Sequence, residues 1–189
     1  MSSDQSASGP ADPSVDHLVA AIGVTGSLIG GVREDQLLAP TPCPDFNVSQ
    51  LLDHLVGYAI HFADKAHGVN PPTDPESVTA GTDPEAAYRK AGDRLIEDYR
   101  SGLSKEAAPM SVALVEIVTH GWDLATATGQ PMPFPDAVVE SALHASRGML
   151  SPKYRGVGMP FGDEVEASSS EAPMVRLVAF MGRNPNWSA

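Results

Sequence analysis

The chain has 189 residues, with 12 lysines and arginines against 24 aspartates and glutamates, and a formal net charge of −12. This length suits one domain with a core of its own, and an acidic surface repels phosphate backbones, which argues against nucleic-acid binding. No segment reaches the roughly 20 apolar residues of a membrane span, and no basic amphipathic helix indicates membrane binding. The polar N-terminus lacks the apolar region of a signal peptide. The single cysteine, Cys43, cannot form an intrachain disulfide, which fits a reducing, cytoplasmic location.

All of the predicted secondary-structure elements are helices. Residues 1–13 are rich in Ser, Asp, Gly and Pro, which predicts a disordered tail. Asn47 with Gln50 resembles a capping box at the start of the second helix, and Asp83 followed by Pro84 marks the start of the third. Apolar residues recur at helical spacing in six segments, at about 14–31, 48–66, 84–101, 109–129, 135–150 and 172–182.

Strand signals are almost absent from the sequence. There is no long alternating run of apolar and polar residues, and no hairpin dipeptide lies between apolar segments. We therefore predict an all-α fold. Four principal helices with two long connections suggest a helix bundle over residues 14–150, with a C-terminal extension over 151–189 that packs on it.

The segment "LVEIVTHGWDLATATGQ" places Glu116 and His120 four residues apart, which puts both on one face of a helix. Most residues around them are apolar, which predicts that this helix is buried. A buried Glu–His pair needs a strong partner because both groups lose their water, and a cation is the simplest one. Such pairs bind divalent metals in helix bundles. The alternative is a solvated Glu–His pair on a surface face.

A third metal ligand is expected from another helix. His54 lies in the apolar stripe of the second helix, and His61, seven residues later on roughly the same face, is the competing candidate. The alternative for a lone histidine there is a core residue with satisfied hydrogen bonds. Two imidazoles and one carboxylate on Zn²⁺ leave a position open to water or substrate, as in catalytic sites, and these ligands also suit Ni, Fe or Mn. His17, His67 and His144 have no supporting context, and we predict that they lie on the surface.

Asp123 and Cys43 are two further candidate site residues. Asp123 lies three residues after His120 on nearly the same face. We interpret it as a catalytic-site residue that either orients a ligand or faces a substrate; a solvent-exposed aspartate in the last helical turn is the alternative. Cys43 precedes a helix N-terminus, where thiolates are favoured, but its Pro-rich loop favours a packing role.

Three segments of the chain resemble one known family. They are, in chain order, "TPCPDFNVSQLLDHLVG", "EIVTHGWDLATATGQ" and "PFGDEVEASSSEAPMVRLVAFMGRNPNW". Together they resemble the mycothiol-dependent maleylpyruvate isomerase family, and more closely its uncharacterised metal-binding relatives in the DinB-like superfamily. The resemblance covers most of the chain after residue 14. Phe46 departs from the family pattern, because relatives usually have Trp at that position.

This resemblance implies a DinB-like four-helix bundle with a divalent metal, zinc first, held by His54, Glu116 and His120. It also implies an enzyme that uses mycothiol or a similar low-molecular-weight thiol, as a transferase or isomerase acting on a small electrophilic molecule. The alternative is a metal- or ligand-binding module without turnover, since a fold does not determine a function. The sequence leaves the oligomeric state open, a homodimer included.

Overall fold

A computed structural model describes residues 13–102, 109–156 and 161–188. The tail predicted over 1–13 lies outside this part of the chain, except for its last residue. The described residues form six α-helices and no strand, which confirms the all-α prediction. The helices are α1 (Val15–Gly30), α2 (Val48–His67), α3 (Pro84–Ser101), α4 (Met110–Thr128), α5 (Asp136–Met149) and α6 (Pro173–Phe180). None of them combines the length and apolar character that a membrane crossing requires.

The ends of the helices follow the local signals in the sequence. At the start of α2, the Asn47 side chain accepts a hydrogen bond from the backbone N–H of Gln50 at 2.9 Å. The Gln50 side chain accepts one from the backbone N–H of Asn47, also at 2.9 Å, so the predicted capping box is present. At the C-terminal end of α4, Gly129 has a φ of +67°, a left-handed conformation that glycine adopts at little cost.

The first four helices form a closed bundle. α1 packs against α3 and α4, and α2 packs against the same two helices, so the order around the bundle is α1, α3, α2, α4. α5 covers α4 and α1 on the outside, and α6 covers α5 and touches α4. One continuous apolar core contains residues from all six helices, among them Leu18, Leu51, Tyr88, Leu114, Val138 and Leu177.

Short 3₁₀ turns that the sequence analysis did not predict lie in the connections. They span Glu34–Gln36, Pro75–Ser77 and Pro152–Tyr154. Each is one turn long, so no run of apolar residues at a regular period marks it. The turn at Pro75–Ser77 packs against α2 and reaches the neighbourhood of His54.

Candidate metal centre

The structure brings His54, Glu116 and His120 together between α2 and α4. One ligand atom from each lies within 4.8 Å of the others. Nε2 of His54 is 2.6 Å from Oε1 of Glu116, and Nε2 of His120 is 3.4 Å from the same oxygen. Glu116 and His120 share a face of α4 because they are one turn apart, whereas His54 joins them because α2 packs directly on α4.

His61, the competing candidate, is directed to a different partner. Its Nδ1 lies 2.8 Å from the carbonyl oxygen of Thr73, in the connection between α2 and α3. Two groups of side chains in the described part of the chain could hold a metal ion, and His61 belongs to neither; they are His54–Glu116–His120 and Cys43–His120–Asp123. The geometry therefore favours His54 over His61 as the third member of the site.

The other three histidines also lie outside the site. His67 and His144 are exposed, as predicted. His17 is partly exposed while its Nδ1 is buried, so only part of this ring lies at the surface. The first turn of α1 turns one side of this ring toward the protein.

A cavity of about 370 Å³ opens onto the three clustered residues. The two histidine side chains are each 10% exposed, while the Glu116 side chain is 23% exposed. The same cavity is lined by Phe46, Thr119 and residues that follow α5 and α6. A small molecule in this cavity would thus meet all three clustered side chains.

Aromatic rings pack around His54. The ring centroid of Phe46 lies 4.6 Å from that of His54, and the centroid of Tyr58 lies 4.5 Å from it. The centroids of His54 and His120 are 4.7 Å apart in an edge-on arrangement. Phe46 therefore supplies the packing surface expected of an aromatic residue at this position, without the N–H that a tryptophan would bring.

Asp123 lies behind His120 and has no exposed surface. Its Oδ2 is 3.0 Å from Nδ1 of His120, an ion-pair distance, although the ring is not aligned for a hydrogen bond. Arg183 donates to both carboxylate oxygens, from Nη2 at 3.1 Å and from Nε at 3.4 Å. Of the roles predicted for Asp123, its position fits that of orienting His120, because its carboxylate faces neither the cavity nor solvent.

The neighbouring charged groups of the site shift one another's pKa values. Burial by itself would raise the pKa of the Glu116 carboxyl, but the His120 charge and the hydrogen bond from His54 bring it below its usual value. Burial likewise disfavours a charged His120, yet Glu116 and Asp123 raise the pKa of this imidazole above its usual value. Glu116 is thereby kept as a carboxylate, the form that binds cations.

Cys43 lines the same cavity and is only 5% exposed. Its Sγ lies within 4.8 Å of ligand atoms of His120 and Asp123. Burial raises the pKa of the thiol, and the nearby Arg183 charge only partly opposes this. A thiol in this environment stays protonated at neutral pH and is a poor nucleophile, which fits the packing role that its loop indicated.

Arg183 is a site residue that sequence analysis missed. It lies 60 positions after Asp123 and is 8% exposed. Gly182, just before it, has a φ of +80°, and a Cβ at this position would lie 2.9 Å from the backbone carbon of Gly162. The available signal was an arginine three residues after the end of the apolar helix α6, but no pattern in the sequence links that arginine to Asp123.

Similarity to known proteins identifies the family of this chain. The chain matches the model for the mycothiol maleylpyruvate isomerase N-terminal domain over residues 18–111, a range that includes His54 but not Glu116 or His120. It is also 31% identical to an uncharacterized protein found in each of two strains of Mycobacterium tuberculosis, over 164 residues that cover 83% of this chain and 90% of each relative. No solved structure matches the chain. The chain belongs to the family of the mycothiol maleylpyruvate isomerase N-terminal domain.

Proposed function

We propose that this protein is a divalent-metal-dependent enzyme that uses mycothiol, or a similar low-molecular-weight thiol, as a transferase or isomerase of a small electrophilic molecule. One observation carries the proposal: ligand atoms of His54, Glu116 and His120 lie within 4.8 Å of one another and line a cavity of about 370 Å³. The family description supports the choice of thiol, because it names mycothiol.

The three side chains fit a divalent cation. Imidazole nitrogens and a carboxylate oxygen are suitable ligands for zinc, and also for nickel, iron or manganese. The ligand atoms lie within 4.8 Å of one another, so a single ion with bonds of about 2.0–2.2 Å would reach all three after small movements of the side chains. Glu116, whose pKa lies below its usual value, would supply a negative charge to such an ion as a carboxylate.

Three protein ligands leave a coordination position for another molecule, on the side of the cavity. A metal held there would supply a Lewis acid that keeps a thiol sulfur as its thiolate at neutral pH. The chain itself contributes the ligands, the orientation of His120 through Asp123, and a cavity that admits the thiol and the electrophile. Thr119 lines this cavity, and its buried hydroxyl has no hydrogen-bond partner among the described residues. An external thiol also fits the poor nucleophilicity of Cys43.

Metal analysis of purified variants tests the site. His54→Ala, Glu116→Ala and His120→Ala should each lose most of the metal that the wild-type protein holds, because two remaining ligands bind an ion weakly. His61→Ala is the matched control on α2, and it should retain the metal because this side chain contacts Thr73 instead. Full retention of metal by all three variants would rule out this site, and loss in His61→Ala with retention in His54→Ala would make His61 the third ligand.

Cobalt substitution tests the thiol. Co²⁺ at this site should show a sulfur-to-cobalt charge-transfer band when mycothiol is added, and a weaker band with small generic thiols, because the larger thiol also contacts the walls of the cavity. A Cys43→Ser variant should give the same band, since Cys43 is buried as a thiol. The absence of a sulfur band with any thiol, in a protein that holds Co²⁺, would leave a metal-binding module without thiol chemistry.

A further inference from the structure

Residues 73–80, in the connection between α2 and α3, run along α2 in the opposite direction. At one end, the backbone N–H of Thr73 donates to Oδ2 of Asp64 at 3.0 Å. At the other end, the backbone N–H of Ala80 donates to Oδ1 of Asp53 at 2.7 Å. These contacts to two residues of α2 set the position of the whole segment against the helix.

The middle of this segment approaches α2 closely at Gly57. A Cβ at Gly57 would lie 2.3 Å from the carbonyl oxygen of Pro75, so only glycine permits this contact. The 3₁₀ turn that begins at Pro75 is capped by Asp74, whose side chain accepts from the backbone N–H of Glu76 at 3.2 Å. Since Gly57 is one turn after His54, the close contact holds Glu76 beside the ring of His54.

The ring of His54 has one nitrogen without a hydrogen bond. Its side chain is 10% exposed, and its Nδ1 is buried with no hydrogen-bond partner in the described part of the chain. Oε1 of Glu76 lies 3.8 Å from this nitrogen, and the Glu76 side chain is 67% exposed. A shift of this exposed carboxylate by about 1 Å would bring it within hydrogen-bond distance of Nδ1.

The surroundings of Nδ1 leave room for this movement. A second cavity, of about 270 Å³, lies on this side of His54 and is lined by Asp45, Asp53 and Glu76. The carboxylate of Asp53 already accepts from the backbone of Ala80. Of these three carboxylates, only that of Glu76 lies within 4.0 Å of Nδ1 of His54.

We propose that Glu76 is a positioning residue that accepts a hydrogen bond from Nδ1–H of His54. Metal-ligating histidines generally donate their second ring N–H to a carboxylate or carbonyl, which holds the tautomer and the ring orientation. With the proton on Nδ1, Nε2 would carry a lone pair that can bind a cation, in place of the hydrogen bond that it makes to Glu116 in the metal-free protein. Each histidine of the site then has its own carboxylate, a buried one for His120 (Asp123) and an exposed one for His54. This inference rests on the proposed metal site.

Zinc affinity of full-length variants, measured by competition with a chromophoric chelator, tests the role of Glu76. We expect Glu76→Ala to weaken zinc binding by about 10-fold or more. Glu76→Gln should lose less, because the amide oxygen still accepts a hydrogen bond. Glu97→Ala, at an exposed glutamate of α3, is the control and should bind zinc as the wild-type protein does.

Two further measurements separate positioning from a general effect on folding. The thermal unfolding of the metal-free protein should be the same for Glu76→Ala and wild type. In zinc-loaded samples, proton NMR should show a slowly exchanging Nδ1–H of His54 that is lost in Glu76→Ala. Wild-type zinc affinity in Glu76→Ala would overturn the proposal while leaving the metal site intact. A wild-type protein that binds no zinc at this site would overturn both.

Discussion

At the scale of single residues, the site is a row of charges of alternating sign. Glu116, His120, Asp123 and Arg183 follow one another at 3.4 Å or less, and the last three are buried. A buried charge without a partner is costly, whereas a paired one with good geometry is tolerated. Each member of the row therefore depends on its neighbours.

Removal of Arg183 tests this dependence. Arg183→Met should destabilise the metal-free protein by about 3–5 kcal/mol, because it leaves the buried Asp123 carboxylate without the guanidinium that donates to both of its oxygens. Adding Asp123→Asn to this variant should recover most of the loss, since the uncompensated charge is then removed. Urea denaturation of the single and double variants measures both effects. A single variant within about 0.5 kcal/mol of wild type would show that the ion pair does not stabilise the fold.

At the scale of helices and connections, Asp64 joins three parts of the bundle. This α2 carboxylate accepts from the hydroxyl of Thr73 at 2.5 Å and from Nη1 of Arg94, on α3, at 2.8 Å. Burial would raise the pKa of Asp64, but these hydrogen bonds and the Arg94 charge lower it below its usual value. Asp64 therefore holds the 73–80 segment and α3 against α2 in its ionised form.

This lowered pKa predicts how stability depends on pH. Because the folded-state pKa lies below the unfolded one, the stabilisation is complete above the unfolded value of about 4 and is lost as the pH falls through the folded value. Asp64→Asn should lower the free energy of unfolding near neutral pH, and this free energy should then decrease less steeply below about pH 4 than in the wild-type protein. Urea denaturation at several pH values measures this, with Asp93→Asn, on the exposed side of α3, as control. If the stability of Asp64→Asn falls below about pH 4 as steeply as that of the wild-type protein, Asp64 does not cause this loss.

At the scale of the whole molecule, the apolar core extends over all six helices. A core of this extent does not depend on an ion at one edge of the bundle, unlike the small cores of zinc fingers. We infer that the fold and the proposed metal site are separable.

Metal removal should therefore leave the helical fold in place. Circular dichroism after chelation should keep the helical signal, while the melting temperature falls because the ion binds only the native state. The loss is about 2.7 kcal/mol for an ion present at 100 times its dissociation constant. Readdition of metal should restore the melting temperature in wild type but not in His120→Ala. Complete loss of helix on chelation would show that the metal is structural.

The sequence by itself determined the helices. The segment predicted at about 48–66 forms a helix over Val48–His67, and the segment predicted at 84–101 forms one over Pro84–Ser101. Helical periodicity, capping residues and helix-ending glycines act within a few positions of the chain, so each of them can be recognised without its tertiary partners. The placement of Glu116 and His120 on one face of α4 can also be recognised without tertiary partners, because it depends on a single helical turn.

Only the tertiary structure decided which distant residues complete the site. His54 and His61 lie on about the same face of α2. The packing of α2 on α4 brings His54 to Glu116, whereas His61 contacts the carbonyl oxygen of Thr73 in the 73–80 segment. Arg183 reaches Asp123 across 60 positions. The period of a helix shows which of its residues point inward, but it carries no information about which helix or connection they meet. Those pairings depend on how the elements pack, and the sequence pattern alone does not contain them.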